Sequence, residues 1–402
     1  MNILIVNCHW DNHGDEAAIR AMIDELQMKY PQTNIFVQRA QGTFKSFPEN
    51  EQVKVLSPFP AKKSLVLDFI ASVTNGKICL SESSRQFYNV LKDSAIVLHA
   101  PGGPSIGDLY QPQEILKLWR LHAVRNSKVP YVFYAPSMGP FHMNARNIWR
   151  KKILKSASLV CLREEISAQM VKELIPSLKT IVTLDSAFQH EIDYQANENV
   201  LKSDKALLEF IGDGRNVIGF TITDLQWNVA YKDDGVTAEK IHETVKCFVD
   251  YLVEAGYRVL FIPQLFERAN DSTYMKKYAI DNCYVMDENY DCYFQQYVIS
   301  KVKAVVGMRY HSNIFSAKMG TPFVSISYEQ KMKGFMEKAG LEKYCLDIKT
   351  LSFEKLKNKF ENMIENYAEY KTELVEKKEV FKKEASKTTE YVCELLDKDK
   401  KR

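Results

Sequence analysis

Arg309 and His311 stand two residues apart, just after a short apolar run at 304–306 and the turn residue Gly307. Helix-compatible residues continue to Met319, Gly320-Thr-Pro322 ends that helix, and the β-branched run Phe323–Ser327 follows. This order predicts a β-α-β unit of a parallel sheet. Ligands of such sheets sit beyond the carboxyl ends of the strands, where Arg309 and His311 fall. The free N–H groups of the next helix's first turn add an anion site beside them. An arginine fork and a titratable imidazole at that place suit a small, doubly anionic ligand such as a phosphorylated carboxylate. The competing reading has Arg309 paired with a buried acid and His311 capping the helix.

Other strand ends carry residues fit for chemistry. The continuous apolar run 3–8 gives way to His9-Trp-Asp-Asn12-His-Gly14-Asp15-Glu16, and a helix is predicted from about Ala17 to Lys29. Asp15 and Glu16 suit a first helical turn through the dipole alone. The run 95–100 feeds Gly102-Gly103-Pro104-Ser105-Ile106-Gly107-Asp108, which predicts a loop where backbone can approach a ligand closely. It matches neither a P-loop nor the dinucleotide fingerprint, so a plain tight turn is the alternative. The strand 131–135 leads to Ser137-Met-Gly-Pro-Phe141. The strand 158–162 leads to Arg163, which thus holds the same topological position as Arg309. Asp15, Asp108 and His142 are candidates for a general base. Their alternatives are a dipole partner, a cap and a surface residue.

Two blocks of alternating strands and helices must position these residues. They predict two doubly wound, Rossmann-like α/β domains facing each other across a cleft. The N-terminal domain spans 1–190, a polar linker 191–215, the C-terminal domain 216–350 and charged C-terminal helices 351–402. One large α/β domain with a helical tail is the alternative. The 54 basic and 51 acidic side chains leave a net charge of +3, too balanced for nucleic-acid binding, and the basic end at 398–402 reads as a solvated tail. The first residues run straight into a strand without a signal-peptide pattern, and no run approaches the roughly 18 apolar residues of a membrane span. Eight cysteines without a Cys-x-x-Cys pair predict free thiols in a reducing cytoplasm. No cluster has metal-ligand spacing.

Taken together, these motifs resemble the polysaccharide pyruvyl transferase family over roughly residues 2–340. The shared elements are Asn12-His-Gly14-Asp15, Gly102-Gly103-x-Ser105-x-x-Asp108 and Ser137-x-Gly139-Pro140, then Arg163 after a strand. Last comes Arg309-x-His311 with Gly320-x-Pro322, ending in Tyr328, Lys331 and Gly334. Where the family commonly has a third glycine, this chain has Pro104, which stiffens the loop and removes an N–H donor. The resemblance implies a fold similar to the two-domain nucleotide-sugar glycosyltransferases (GT-B-like). It also implies transfer of a pyruvyl group from phosphoenolpyruvate to sugar hydroxyls, with phosphate released. Phosphoenolpyruvate is a co-substrate, and no cofactor or metal is expected. Arg309, Arg163, Ser312 and Asn313 would bind the donor. His311 would serve as acid, with Asp15 or Asp108 as base. Asn12, Gly102, Gly103, Ser105 and Ser137 would line the acceptor side. A lipid-linked acceptor would bring the protein to a membrane surface. A nucleotide-sugar glycosyltransferase, with Glu329 on the ribose hydroxyls, and a catalytically silent sugar-binding protein are the alternatives.

Overall fold

The computed structural model of the chain describes residues 1–10, 12–40, 47–223, 225, 237–266 and 270–399. The expected solvated tail therefore lies partly outside the described residues. The chain falls into two compact units, one of Met1–Asp11, Ala18–His190 and Lys383–Arg402, the other of Asn12–Ala17 and Glu191–Lys382.

In chain order, the first unit's elements are β1 (Asn2–Cys8), α1 (His13–Lys29), β2 (Asn34–Arg39), β3 (Val53–Leu56), α2 (Leu65–Val73), α3 (Glu82–Asp93) and β4 (Ile96–His99). They continue with β5 (Gly102–Ile106), α4 (Gln111–Ser127), β6 (Tyr131–Phe133), β7 (Pro136–Met138), α5 (Asn144–Ser156), β8 (Leu159–Leu162), α6 (Glu165–Leu174) and β9 (Ile181–Val182). The strands form a parallel sheet in the order β3-β2-β1-β4-β6-β8-β9. Alternation along β1 and β4 sends Leu4, Val6 and Val97 into one core with α3 to α6. Ile3, Ile5, Ile96 and Leu98 enter the other, with α1 and with Val392 and Leu396. Both faces are apolar and covered, so a one-residue slip would move no side chain into water. Register must therefore come from the connections rather than from amphipathic alternation.

The second unit begins with α7 (Tyr194–Ser203) and α8 (Lys205–Ile211), followed by β10 (Val217–Thr221), α9 (Ala238–Glu254), β11 (Arg258–Phe261), α10 (Asp271–Met275), β12 (Cys283–Val285) and α11 (Cys292–Lys301). Next come β13 (Ala304–Gly307), α12 (Tyr310–Met319), β14 (Phe323–Ser327), α13 (Gln330–Ala339), β15 (Cys345–Asp347), α14 (Phe353–Glu365) and α15 (Tyr367–Asp399), whose residues from Lys383 on belong to the first unit. Its parallel sheet runs β12-β11-β10-β13-β14-β15. The expected β-α-β unit is β13-α12-β14. Gly320 stops α12 in the left-handed conformation at φ 68°, which spares it the Cβ penalty of other residues.

Two expectations need correction. The 191–215 stretch is not an irregular linker but mainly two helices, each started by an aspartate cap, Asp193 on Ala196 N–H and Asp204 on Leu207 N–H. The Gly102–Asp108 stretch is not simply a loop: β5 pairs in parallel with β7 as a separate two-stranded sheet. The charged last helix buries Phe381, Ala385, Thr388 and Thr389.

Candidate active site

The second unit builds its site on the turn between β13 and α12. β10 lies beside β13 with Thr221 opposite Gly307. The Thr221 Oγ1 accepts the N–H of Met308 at 3.2 Å and of Arg309 at 3.4 Å, and lies 2.7 Å from the Ser312 Oγ. Ser312 in turn donates to the Arg309 carbonyl at 2.7 Å. The Asn313 amide donates to the Ser325 hydroxyl on β14 at 2.7 Å. A Cβ on Gly307 would lie 2.0 Å from the Asn313 Oδ1, so this glycine admits the packed carboxamide. Ser312 and Asn313 are fully buried. The Ser312 hydroxyl and the Asn313 amide group thus help shape the turn that presents Arg309 and His311, while the buried Asn313 Oδ1 has no hydrogen-bond partner among the described residues.

Arg309 caps α12 and is nearly buried. Its Nε donates to the Asp271 Oδ2 at 3.1 Å, and its Nη2 to Oδ1. Asp271, at the start of α10, also accepts the N–H groups of Gln264 at 3.1 Å and Leu265 at 3.0 Å. Burial works against the arginine's charge, but Asp271 and the hydrogen-bonded Tyr328 hydroxyl overcome it and hold the guanidinium above its ordinary value. Burial likewise pushes the Asp271 carboxyl up, against the pull of Arg309 and the two amides. The paired-acid reading of Arg309 is thus observed. A guanidinium carries five donors, so it can serve Asp271 and an anionic ligand together.

The same backbone strip holds the start of α1. Gln264 and Leu265 give their N–H groups to Asp271, while the Gln264 carbonyl accepts the His13 N–H at 2.9 Å and Leu265 bridges to Asn12. The His13 ring reaches Glu16 at 2.7 Å and the Glu288 carbonyl at 2.9 Å, and Glu16 accepts the Cys292 N–H at 3.2 Å. Asn12 and Asp15 form a reciprocal cap. The Asn12 Oδ1 accepts the Asp15 N–H and its amide donates to the Asp15 carboxylate, both at 2.7 Å. These bonds explain why residues 12–17 belong to the second unit, where the sequence predicted the N-terminal domain. They also bring Gly14 against His311: a Cβ there would lie 1.9 Å from the imidazole Nδ1 and 2.3 Å from its Cγ. Arg309, His311, Asn12, Gly14 and Asp15 are therefore assembled within one unit.

The remaining candidates lie in the first unit. Arg163 follows β8 as Arg309 follows β13, and it too meets a buried aspartate: Asp185 at 2.6 Å, with Ser137 at 2.8 Å and Glu164 at 3.4 Å. Ser137 also donates to Glu164 at 3.0 Å. Asp108 takes the capping alternative. It accepts the amides of His142 and Met143 (3.1 Å for Met143) and pairs with Arg150 at 2.7 Å. Burial opposes its charge, yet Arg150 and the two amides hold its carboxyl below the usual range. His142 is exposed, as its surface reading has it.

Gly102, Gly103 and Ser105 lie on β5, where Ser105 meets the His99 Nε2 at 3.2 Å. Behind this strand is a buried basic group that sequence reasoning missed. Burial pushes His99 down to about 3 and Arg120 down to about 9, and burial with Lys117, Arg120 and His99 lowers His9. Arg120 donates to neutral acceptors, the Asn7 Oδ1 at 3.0 Å, the Ala40 carbonyl at 2.9 Å and the Phe59 carbonyl. The available signal was Lys117 and Arg120, three apart among the apolar residues of a core-facing helix.

Comparison with known proteins fits this arrangement. The amylovoran biosynthesis protein AmsJ of Erwinia amylovora is 22% identical over 399 residues, spanning 92% of this chain and 93% of that protein. Among solved structures, UDP-GlcNAc 2-epimerase from Neisseria meningitidis bound to UDP-GlcNAc is similar with a TM-score of 0.60 at 15% identity, covering 98% of this chain and 100% of that one. A ugt transferase from Siraitia grosvenorii in complex with UDP follows with a TM-score of 0.58 at 10% identity, covering 98% and 99%. At such identities the structural likeness shows the fold alone, two Rossmann-like α/β units. Residues 12–330, which run from the Asn12 cap through Arg309 and His311, match the polysaccharide pyruvyl transferase family, and this chain is a transferase belonging to that family.

Proposed function

We propose that the protein transfers the pyruvyl group of phosphoenolpyruvate to a pair of hydroxyls on a saccharide acceptor, forming a ketal and releasing phosphate. The observation that carries this reading is the first turn of α12, which starts at Arg309 and His311, with the ring of His311 lying on Gly14. A doubly anionic donor matches a fixed guanidinium at a helix N-terminus.

The balance of the reaction assigns the work. One sugar hydroxyl attacks the substituted enol carbon while the methylene carbon takes a proton. Phosphate then leaves, and a second hydroxyl closes the ketal on the same carbon. The two hydroxyl protons end on the methyl group and on phosphate. In this reading His311 supplies the proton, and Asp15, whose carboxylate is held by Asn12, accepts one from the attacking hydroxyl. Arg309, oriented by Asp271, binds one anionic end of the donor.

The test is phosphate release on incubation with phosphoenolpyruvate and candidate saccharides, with the acceptor's pyruvyl gain followed by mass. A thermal-shift panel of phosphoenolpyruvate and nucleotide sugars separates the alternative. Stabilisation by a nucleotide sugar and none by phosphoenolpyruvate would overturn the proposal.

A further inference from the structure

α2 is turned inside out relative to an ordinary surface helix. Leu65, Val66, Leu67, Phe69 and Val73 are exposed, as are Ile78 and Leu80 just after it, with Val66 75% accessible. The helix's one acid, Asp68, is fully buried instead. It accepts the Ala61 N–H at 2.8 Å and hydroxyls of Ser64 at 3.0 Å, Ser83 at 3.1 Å and Ser81. Around the apolar face stand three exposed cations, Lys62, Lys63 and Lys77.

The same sorting continues on α4 and α5. Phe69 packs edge-on against Trp119 of α4 at 6.1 Å, and His122, one turn on, stacks with Trp149 of α5 at 5.9 Å. Trp149 and Ile148 are exposed, and so are Lys151, Lys152 and Lys155. The one acid of α4, Glu114, is buried against Arg146 and Arg150, and α5 contains no acid. Three helices of one unit and the turns on either side of α2 thus present apolar and aromatic side chains with six exposed lysines, three of them on α5 and three flanking α2, while the acids of the helices point inward.

We infer that this face docks on an anionic bilayer surface. A contiguous exposed apolar patch of this kind marks an interaction site. Apolar side chains rimmed by lysines, with an interfacial tryptophan, match the headgroup region of a membrane carrying anionic lipid. A second copy of the chain fits worse, because a two-fold contact through α2 would set Lys62, Lys63 and Lys77 against their own counterparts. The contact is between protein and lipid and does not depend on the proposed reaction.

The test is co-sedimentation of the full chain with phosphatidylcholine vesicles with and without phosphatidylglycerol, in the absence of phosphoenolpyruvate and acceptor. Binding is expected only with the anionic lipid and should weaken with salt. At about fivefold per lysine, the Lys62→Ala/Lys63→Ala/Lys77→Ala variant should partition on the order of 100-fold less. Val66→Ser/Phe69→Ser should also lose binding, with melting curves confirming that both variants fold. Brominated lipid should quench Trp149 fluorescence, and Trp149→Phe should remove that quenching. No binding to anionic vesicles, or binding unchanged in both variants, overturns the inference. So does a dimer in sedimentation equilibrium that Val66→Ser/Phe69→Ser abolishes while vesicles remain unbound, since it gives the face to a second copy.

Discussion

Gly14→Ala is the sharpest perturbation of the proposed site, because one methyl group acts on one side chain. Gly14 sits in the first turn of α1 with a φ that any residue adopts, so the backbone carries no penalty. Alanine's helix preference even favours the variant, by up to about 1 kcal/mol. The new Cβ would lie 1.9 Å from the His311 Nδ1 and 2.7 Å from its Cβ, whereas ordinary contact begins at 3.4 Å. The ring must therefore retreat by about 3.4 − 1.9 = 1.5 Å, and because ring rotation leaves the Cβ in place, the facing turns of α1 and α12 must also part by several tenths of an ångström. Crowding of this kind costs roughly 1–3 kcal/mol, so stability should change by no more than about 2 kcal/mol and the fold should survive. Catalysis should suffer far more. A misplacement of about 1 Å can cost 10²-fold, and complete loss of a proton donor about 10²–10⁴-fold. Phosphate release should thus fall at least about 10²-fold, while calorimetric binding of phosphoenolpyruvate, which rests on Arg309, stays within a few-fold. In a Gly14→Ala/His311→Gln double variant, turnover should fall no lower than in His311→Gln alone. A Gly14→Ala enzyme that turns over at the wild-type rate would refute the role of His311.

Arg309→Lys keeps the charge but loses the planar fork that Asp271 orients, so donor affinity measured by calorimetry should fall by about 1.5–3 kcal/mol with turnover of bound donor less affected. Asp108→Asn should lower the melting temperature. The Asp108 carboxyl lies below its ordinary value, so its contribution is present above the unfolded-state titration and is lost as pH falls through the folded one. The gap between variant and wild type should therefore close in acid, and a gap that persists there would count against the Arg150 pairing. Lys318, fully buried and pushed down to about 8 by burial, binds fewer protons folded than unfolded, so its penalty is present at neutral pH and fades as pH rises past 8 toward the ordinary lysine range. Lys318→Met should accordingly raise the melting temperature at pH 7 and have a smaller effect at alkaline pH.

The sequence by itself determined the alternation of apolar runs and helices, hence two parallel-sheet units and the strand ends where Arg163, Arg309 and His311 stand. It did so because periodicity and turn residues are local, and a parallel strand buried on both faces shows as an unbroken apolar run. It also placed the motifs that carry the family resemblance. Only the tertiary structure decided what those side chains meet. Asp271, 38 positions from Arg309, supplies the buried acid, and no spacing rule links the two. Asn12, Gly14 and Asp15 join His311 through hydrogen bonds to the 264–265 backbone, a contact made across most of the chain. Ser312 and Asn313 stand beside Arg309 in sequence, but only the fold shows that they meet Thr221 and Ser325 of neighbouring strands. Only packing shows that Asp68 turns inward to a cluster of serines while the apolar side chains face out, because which face of a helix is buried is set by its neighbours in space.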